Sequence, residues 1–496
     1  MTTEHFDVLI IGAGLSGIGA AVHLQKHCPK RTYAILEGRD RMGGTWDLFR
    51  YPGVRSDSDM YTLGYSFKPW EEPKAIADGP SILKYVQDTA KEHAIDSKIR
   101  YAHPVRRAAW SSAEACWTIE AEREVEGTRE SVQLTCNFLF LCGGYYNYAE
   151  GYTPDFAGME RYKGRIVHPQ KWTDDIDYEG KRVLVIGSGA TAITLVPEMA
   201  KKAAHVTMLQ RSPTYVVARP SEDGLANWLR KVFPAMLAYD ITRWKRVLLQ
   251  MYFFNLCRRR PGRVKQLIRG GVRAYLGPDF DVDKHFAPRY NPWKQRMCLV
   301  PDADFFMAIR KKRASVVTEH IETFTEKGVK LDTGEEIEAD LIVTATGLNL
   351  QVMNGLAITV DGKSVTAPEL FSYKGLMYSG VPNLASSFGY TNASWTLKCD
   401  LTCEYVCRLL NYMEKHGYAQ STPRFTDETV TAIPWIDFSS SYVQRSMHKF
   451  PKQGSRAPWK LRQNYALDIM NLRFGRIDDG VLEFSNPAAA AVAKRA

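Results

Sequence analysis

Twice in this chain a short aliphatic run ends in a glycine loop and passes into a helix-favouring segment, and this duplication limits the available folds more than any other feature. Asp7-Val-Leu-Ile-Ile leads into Gly12-Ala13-Gly14-Leu15-Ser16-Gly17 and then an Ala-rich stretch to Leu24. The pattern predicts strand, tight turn and helix. A second strand from Tyr33 ends at Glu37, 20 residues beyond Gly17. In that order each residue has a task. Gly12 makes the turn, Gly14 lets the backbone approach a pyrophosphate, Gly17 allows close helix packing, and Glu37 accepts from ribose hydroxyls.

The second unit starts at Arg182-Val-Leu-Val-Ile and continues through Gly187-Ser188-Gly189-Ala190-Thr191-Ala192 into a helix, Ala192 taking the third glycine's place. Its next strand, from His205, ends in Gln210-Arg211-Ser212 where the first unit has its acid. A cation with an adjacent hydroxyl suits a ribose 2′-phosphate, so this unit is expected to take NADPH and the first FAD. The alternative for Arg211 is a solvated surface charge. Two units in one chain exceed what a simple dehydrogenase needs, and a flavin belongs between the nicotinamide and the group that reacts.

The expected fold class is therefore α/β, with two Rossmann-like dinucleotide-binding domains (FAD and NADP) and a helical insert in the NADP domain. The boundaries read as 1–150 and 346–496 for the two FAD pieces, 151–220 and 290–345 for the two NADP pieces, and 221–289 for the insert. The insert explains the charge. The 496 residues carry 65 Lys and Arg against 55 Asp and Glu, a formal +10. Between Trp228 and Arg273 stand twelve basic residues and one acid, Asp240, so that stretch is net +11 and the rest of the chain net −1. Its apolar residues and cations alternate at helical spacing, split at Pro261-Gly262. It reads either as a helical subdomain with a solvated cationic face or as a surface that rests peripherally on an anionic membrane through Trp228, Trp244, Tyr252, Phe253 and Phe254.

Nine cysteines without a CxxC pair point to a reduced, cytoplasmic setting and argue against a flavin disulfide reductase. Cys399, Cys403 and Cys407 recur every four residues, a spacing expected to place them in the core of one helix face, with no His or fourth Cys to complete a metal site. No secretory signal precedes the first strand, and the longest later apolar run, Val247 to Cys257, is far shorter than a spanning helix needs. The chain is expected in the cytoplasm, free or peripheral at the inner face of the membrane. The glycine loops account for phosphate binding and no nucleic-acid motif appears, so nucleic acid is not an expected partner.

Between the loops runs Tyr162-Lys-Gly164-Arg-Ile-Val-His168-Pro-Gln-Lys-Trp172-Thr173. It resembles the F-x-G-x-x-x-H-x-x-x-W-P/D marker of the type I Baeyer-Villiger monooxygenases, a family of class B flavoprotein monooxygenases, with Tyr162 for Phe and Thr173 for the closing Pro or Asp. Four further runs are similar to the subgroup of mycobacterial ethionamide-activating monooxygenases: Gly43-Gly-Thr-Trp-Asp-Leu-Phe-Arg-Tyr-Pro-Gly53, Arg55-Ser-Asp-Ser-Asp-Met-Tyr-Thr-Leu63, Gly389-Tyr-Thr-Asn-Ala-Ser-Trp-Thr-Leu397 and Lys452-Gln-Gly-Ser-Arg456.

The resemblance implies an NADPH- and O2-dependent conversion of ketones to esters or lactones through a C4a-peroxyflavin, with sulfoxidation of thioethers or thioamides alongside. It maps the catalytic arginine onto Arg296, within Trp293-Lys-Gln-Arg-Met-Cys, and the carboxylate that positions it onto Asp57. A fixed cation suits this chemistry because anionic charge develops in it. Ser16, Glu37, Thr45, Trp46, Asp57 and the backbone at Val105 fall on FAD by the same resemblance, and Gly187, Ser188, Gly189, Ala190, Thr191 and Ala192 with Arg211 and Ser212 on NADP. Gln295 stands where many members have a lysine for the 2′-phosphate, which leaves that task to Arg211 and Ser212. Trp172 separates the chain from N- and S-oxygenating relatives, the nearest rival reading, which carry Tyr or Phe there. His168 is expected to be structural or part of a hinge, because the mechanism asks for no base there.

Overall fold

The computed structural model describes residues 3–125, 128–295 and 297–487. Its larger sheet is built around strand β1 (Glu4–Ile11), which pairs in parallel with β2 (Tyr33–Leu36) on one side and with Thr128–Leu141 on the other. Nine strands join it, running from Lys363–Ser364 through Ala357–Val360, Val105–Ser111 and Cys116–Val125 to Thr128–Leu141, β1, β2 and Ile99–Arg100, with Leu384–Ser386 added to Thr128–Leu141. The aliphatic residues of β1 and β2 are buried on both faces, as a parallel strand covered by helices requires. Helix α1 (Leu15–His27) follows the first loop and lies on this sheet. A Cβ on Gly17 would sit 1.9 Å from the Gly12 carbonyl oxygen, so only glycine lets α1 pack this closely.

The second sheet has five parallel strands. Their order is Ala314–Thr318, β4 (His205–Gln210), β3 (Arg182–Ile186), β5 (Leu341–Thr344) and Arg165–Val167. Helix α2 (Ala190–Met199) leaves the second glycine loop and covers it. Where the chain crosses between the sheets, outward at Tyr146–Gly151 and back at Leu348–Leu350, the two crossings pair as antiparallel strands. They form a common ribbon between the two nucleotide units.

The basic insert folds as α3 (Gly224–Val232), α4 (Ala235–Arg259) and α5 (Pro261–Leu276). The break at Pro261 appears where the sequence marks one, and a second falls at Phe233-Pro234, because proline lacks the N–H that would continue α3. The cationic face is not wholly solvated. Arg243 is buried and donates to the carbonyls of Tyr61 at 2.9 Å and Gly64 at 2.7 Å and to Asp400 Oδ2 at 3.3 Å. This arginine clamps α4 to the first nucleotide unit. All nine cysteines are free and buried; Cys399, Cys403 and Cys407 sit in the core on α6 (Trp395–His416), which lies against α1. Among the described residues no helix is long and apolar enough to cross a membrane.

Candidate active site

A single cavity of about 1280 Å³ opens between the two sheets, and both glycine loops face it. From the first unit Gly12, Gly14, Ser16, Glu37, Thr45, Trp46, Asp57 and Val105 line it; from the second come Gly187, Ser188, Gly189, Ala190, Thr191, Arg211 and Ser212. Gly17 and Ala192 do not. Both sit behind their loops in helix packing, Ala192 fully buried in the second core. Arg296 lies outside the described residues, while Gln295 lines the cavity.

Local geometry at the first loop fits a flavin dinucleotide. Gly12 has φ +103°, and a Cβ there would meet the Gly143 backbone at 2.8 Å. Gly14 is the N-cap of α1 and faces Gly44, whose φ is +56°. These glycines leave a cradle that side chains would fill, at the end of a helix whose free N–H groups favour an anion. Glu37 closes it at the end of β2, its carboxylate accepting from the Ala13 N–H at 2.7 Å and the Arg39 N–H at 3.0 Å. Burial raises its pKa and those two N–H groups oppose the rise. The Ser16 hydroxyl instead faces Cys399 Sγ at 3.3 Å, so it is the backbone at Ser16 that remains for a ligand.

At the second loop Gly187 has φ +130°, and a Cβ there would strike the Ala345 carbonyl oxygen at 2.2 Å. Gly189, the N-cap of α2, has nothing within 4 Å of its Cβ position. Arg211 and Ser212 are exposed at the rim, with the Ser188 hydroxyl donating to the Ser212 carbonyl at 3.3 Å.

Comparison with known proteins agrees with this geometry. Residues 63–247 match the flavin-binding monooxygenase-like family, and residues 10–70 an NAD(P)-binding Rossmann-like domain. The chain is 53% identical over 488 residues to the FAD-containing monooxygenase EthA of Mycobacterium tuberculosis, covering 98% of this chain and 99% of that one. The chain belongs to the FAD-containing monooxygenases. It is also 50% identical to the putative FAD-containing monooxygenase MymA of the same organism, with 98% of each chain covered. Its fold is that of the Baeyer-Villiger enzymes: an ε-caprolactone-bound cyclohexanone monooxygenase superposes with a TM-score of 0.75 at 20% identity, over 97% of this chain and 100% of that one. A steroid monooxygenase bound to NADP gives 0.70 at 24% identity, over 84% and 88%.

In this monooxygenase the marker run does not line the cavity. Trp172 is buried in the second core, edge-on to Tyr178. His168 holds the inter-sheet ribbon: Nε2 donates to the Gly347 carbonyl at 3.0 Å and Nδ1 accepts from the Gln170 N–H at 3.2 Å. A Cβ on Gly151 would lie 1.9 Å from the imidazole, so the ring is wedged between the two crossings. Burial lowers its pKa and the Gly347 carbonyl works against that, a neutral structural histidine.

Run 51–57 of the monooxygenase forms a seam between the units that sequence reasoning did not foresee. The Tyr51 hydroxyl, its pKa pushed up to about 12 by burial, lies near Thr191 of the second loop, which holds that rise back. Gly53 packs on Glu198 of α2, and Arg55 pairs with Asp304. Asp57 lies just beyond, on the cavity wall. Arg445 was also missed. Its guanidinium stacks 3.5 Å over the Tyr152 ring beside Gly347, and among the described residues its buried Nη2 has no hydrogen-bond partner. It lines the cavity. An aromatic wall of Tyr145, Phe388 and Trp395, with Tyr145 stacked on Trp395 at 4.8 Å, gives the cavity an apolar side.

Proposed function

We propose that this monooxygenase oxidises ketones to esters or lactones, consuming one NADPH, one proton and one O2 for each ester, NADP⁺ and water formed, and that it also oxygenates thioethers or thioamides. The observation that carries the reading is the shared cavity: two glycine loops, each with its own nucleotide chemistry, open into one space that Tyr145, Phe388 and Trp395 also line. Gly12, Gly14 and the N-terminus of α1 would hold the FAD pyrophosphate, and Glu37 its ribose; Thr45, Trp46, Asp57 and Val105 line the space beyond. Bound there, FAD supplies two-electron chemistry between a nicotinamide and dioxygen.

The chain's own residues do the rest. Gly187 to Thr191 cradle the NADP pyrophosphate, and Arg211 with Ser212 reads the 2′-phosphate. Gln295 contributes elsewhere, its amide donating to the Ser439 carbonyl at 3.3 Å and so tying the loop that leads to Arg296 onto the opposite cavity wall. Asp57 positions Arg296, whose cation stabilises anionic charge as it develops on the reacting oxygen atoms. A flavin disulfide reductase is disfavoured, because the nine cysteines include no CxxC pair. The test is oxygen-dependent NADPH consumption across linear, cyclic and aryl ketones and across sulfides, with products identified by mass spectrometry. Ester or lactone formation is expected; N- or S-oxides alone would replace the reading with that of an amine or sulfide oxygenase.

A further inference from the structure

Helix α4 is apolar on two sides, and only one of them is covered. Ala238, Tyr239, Thr242, Arg243, Val247 and Cys257 face the protein. On the other side Leu237, Ile241, Trp244, Leu248 and Tyr252 recur at three- and four-residue steps and are exposed, Leu248 at 59% and Tyr252 at 67%. Trp228 and Val232 of α3, the helix that contacts α4, are exposed as well, as are Met470 and Phe474, close in sequence to Tyr465, against which Trp244 packs. A single exposed leucine needs no explanation, but a continuous stripe along a helix of about 37 Å does.

Charge decides what covers it. Lys231, Arg259, Arg260 and Arg263 flank the stripe, exposed and without a carboxylate partner among the described residues. A second copy meeting the stripe about a two-fold axis would bring the same cations together and repel. An anionic lipid surface satisfies both features, taking the apolar side chains between its headgroups and the cations at its phosphates.

The covered side of α4 leads to the active site. Val247, Gln250 and Met251 wall a small cavity of about 10 Å³, together with Tyr390 and Ala393. Those last two residues also line the main cavity. One helix and one constriction therefore separate the exposed stripe from the cavity that holds both glycine loops.

We propose that α3 and α4 seat the enzyme on an anionic lipid surface, and that apolar substrates dissolved in that surface reach the cavity past Met251, Tyr390 and Ala393. The substrate half rests on the oxygenation reading above; the lipid half stands without it. The experiment is flotation of the FAD-loaded enzyme with vesicles of phosphatidylglycerol in phosphatidylcholine, against phosphatidylcholine alone, at low and high salt. Salt-sensitive flotation with the anionic vesicles is expected. Arg259→Gln with Arg260→Gln, both solvent-exposed, should weaken it roughly fivefold per charge. Leu248→Glu with Tyr252→Glu should abolish it and raise KM for a long-chain ketone carried in the vesicles about tenfold, leaving KM for a short water-soluble ketone unchanged. Wild-type enzyme that stays off anionic vesicles, or binds both vesicle types equally, would overturn the proposal. So would a vesicle-free dimer that Leu248→Glu with Tyr252→Glu disperses, since the stripe would then belong to a second copy. Flotation with no ketone oxidised would uphold the lipid surface and strike instead at the oxygenation reading.

Discussion

Arg55 reaches across from the first nucleotide unit to Asp304 of the second, Nη2 lying 3.3 Å from Asp304 Oδ1. The pair is partly buried and stands two residues from Asp57, in the seam where Tyr51 meets Thr191. Asp304→Asn keeps the shape and removes the charge, which frees the Arg55 guanidinium to compete for the Asp57 carboxylate. The expected result is an unchanged FAD content, a stability loss of about 1–2 kcal/mol and a lower yield of oxygenated product per NADPH. Product and peroxide measured against NADPH consumed check it; unaltered coupling would count against the seam.

The glycines divide by what they face. At Gly12 a Cβ meets backbone and the φ is positive, so Gly12→Ala should cost about 2 kcal/mol or more and release FAD. None of the described residues crowds Gly189, so Gly189→Ala should keep stability within about 1 kcal/mol and still weaken NADP⁺ binding, because the added methyl points into the dinucleotide cradle. Thermal melts and NADP⁺ titrations of the two variants separate these effects. Equal damage to folding by both would show that Gly189 serves packing.

His168 makes a pH prediction with a definite sign. Burial lowers its pKa from 6.5, so the folded chain holds the neutral ring while the unfolded chain takes up a proton near 6.5. The unfolded state binds more protons in that window, and stability therefore rises with pH. The contribution of His168 is complete above about pH 6.5 and is lost as pH falls below it. His168→Gln should flatten the fall in urea midpoint between pH 7 and pH 5. His27 and His285, also lowered chiefly by burial, are present in both proteins and cancel in the difference. Parallel pH curves for the two proteins would rule out this linkage.

Both nucleotide units were legible because their signals are local: aliphatic runs set the strands, and Gly12 and Gly187 take conformations that glycine adopts freely. Residues whose role depends on distant partners were not. Arg243 reads as one more cation in a basic segment until folding brings it to Asp400, 157 residues away. Against the burial that would raise it, His23, Arg243 and the Ser66 N–H hold the Asp400 pKa down. The exposed side of α4 was read only in part: Trp244 and Tyr252 of the membrane reading are exposed, whereas Phe253 packs against the core around Tyr215 and Phe254 lies edge-on to Trp293. The periodicity of α4 is that of an ordinary buried helix, and the sequence does not say which side the rest of the protein covers.

Arg296 is assigned by resemblance, and its substitution tests the chemistry separately from binding. Arg296→Ala should keep FAD and NADPH-driven flavin reduction and lose ester formation by about a hundredfold, the scale for deleting a group that stabilises charge in the transition state. Anaerobic flavin reduction followed by stopped-flow, set beside product yield in air, reads the two steps apart. Full ester formation by the variant would end the assignment.

Arg445 carries a guanidinium nitrogen that is buried with no carboxylate beside it among the described residues. Its Nη2 is buried and, among the described residues, without a hydrogen-bond partner beside Gly347, and burial lowers its pKa. A buried charge is stable only where a counter-charge reaches it, and the cavity it lines also receives the second glycine loop. Arg445 should therefore contact an anionic part of the NADP(H) molecule. Arg445→Gln is expected to raise KM for NADPH about tenfold or more, the worth of one charge-assisted hydrogen bond, with FAD content unchanged; Arg445→Lys should recover part of the loss. Steady-state kinetics with NADPH and direct titration with NADP⁺ measure the effect, and an Arg445→Gln enzyme with wild-type affinity for both would leave the buried cation as a packing element of the ribbon alone.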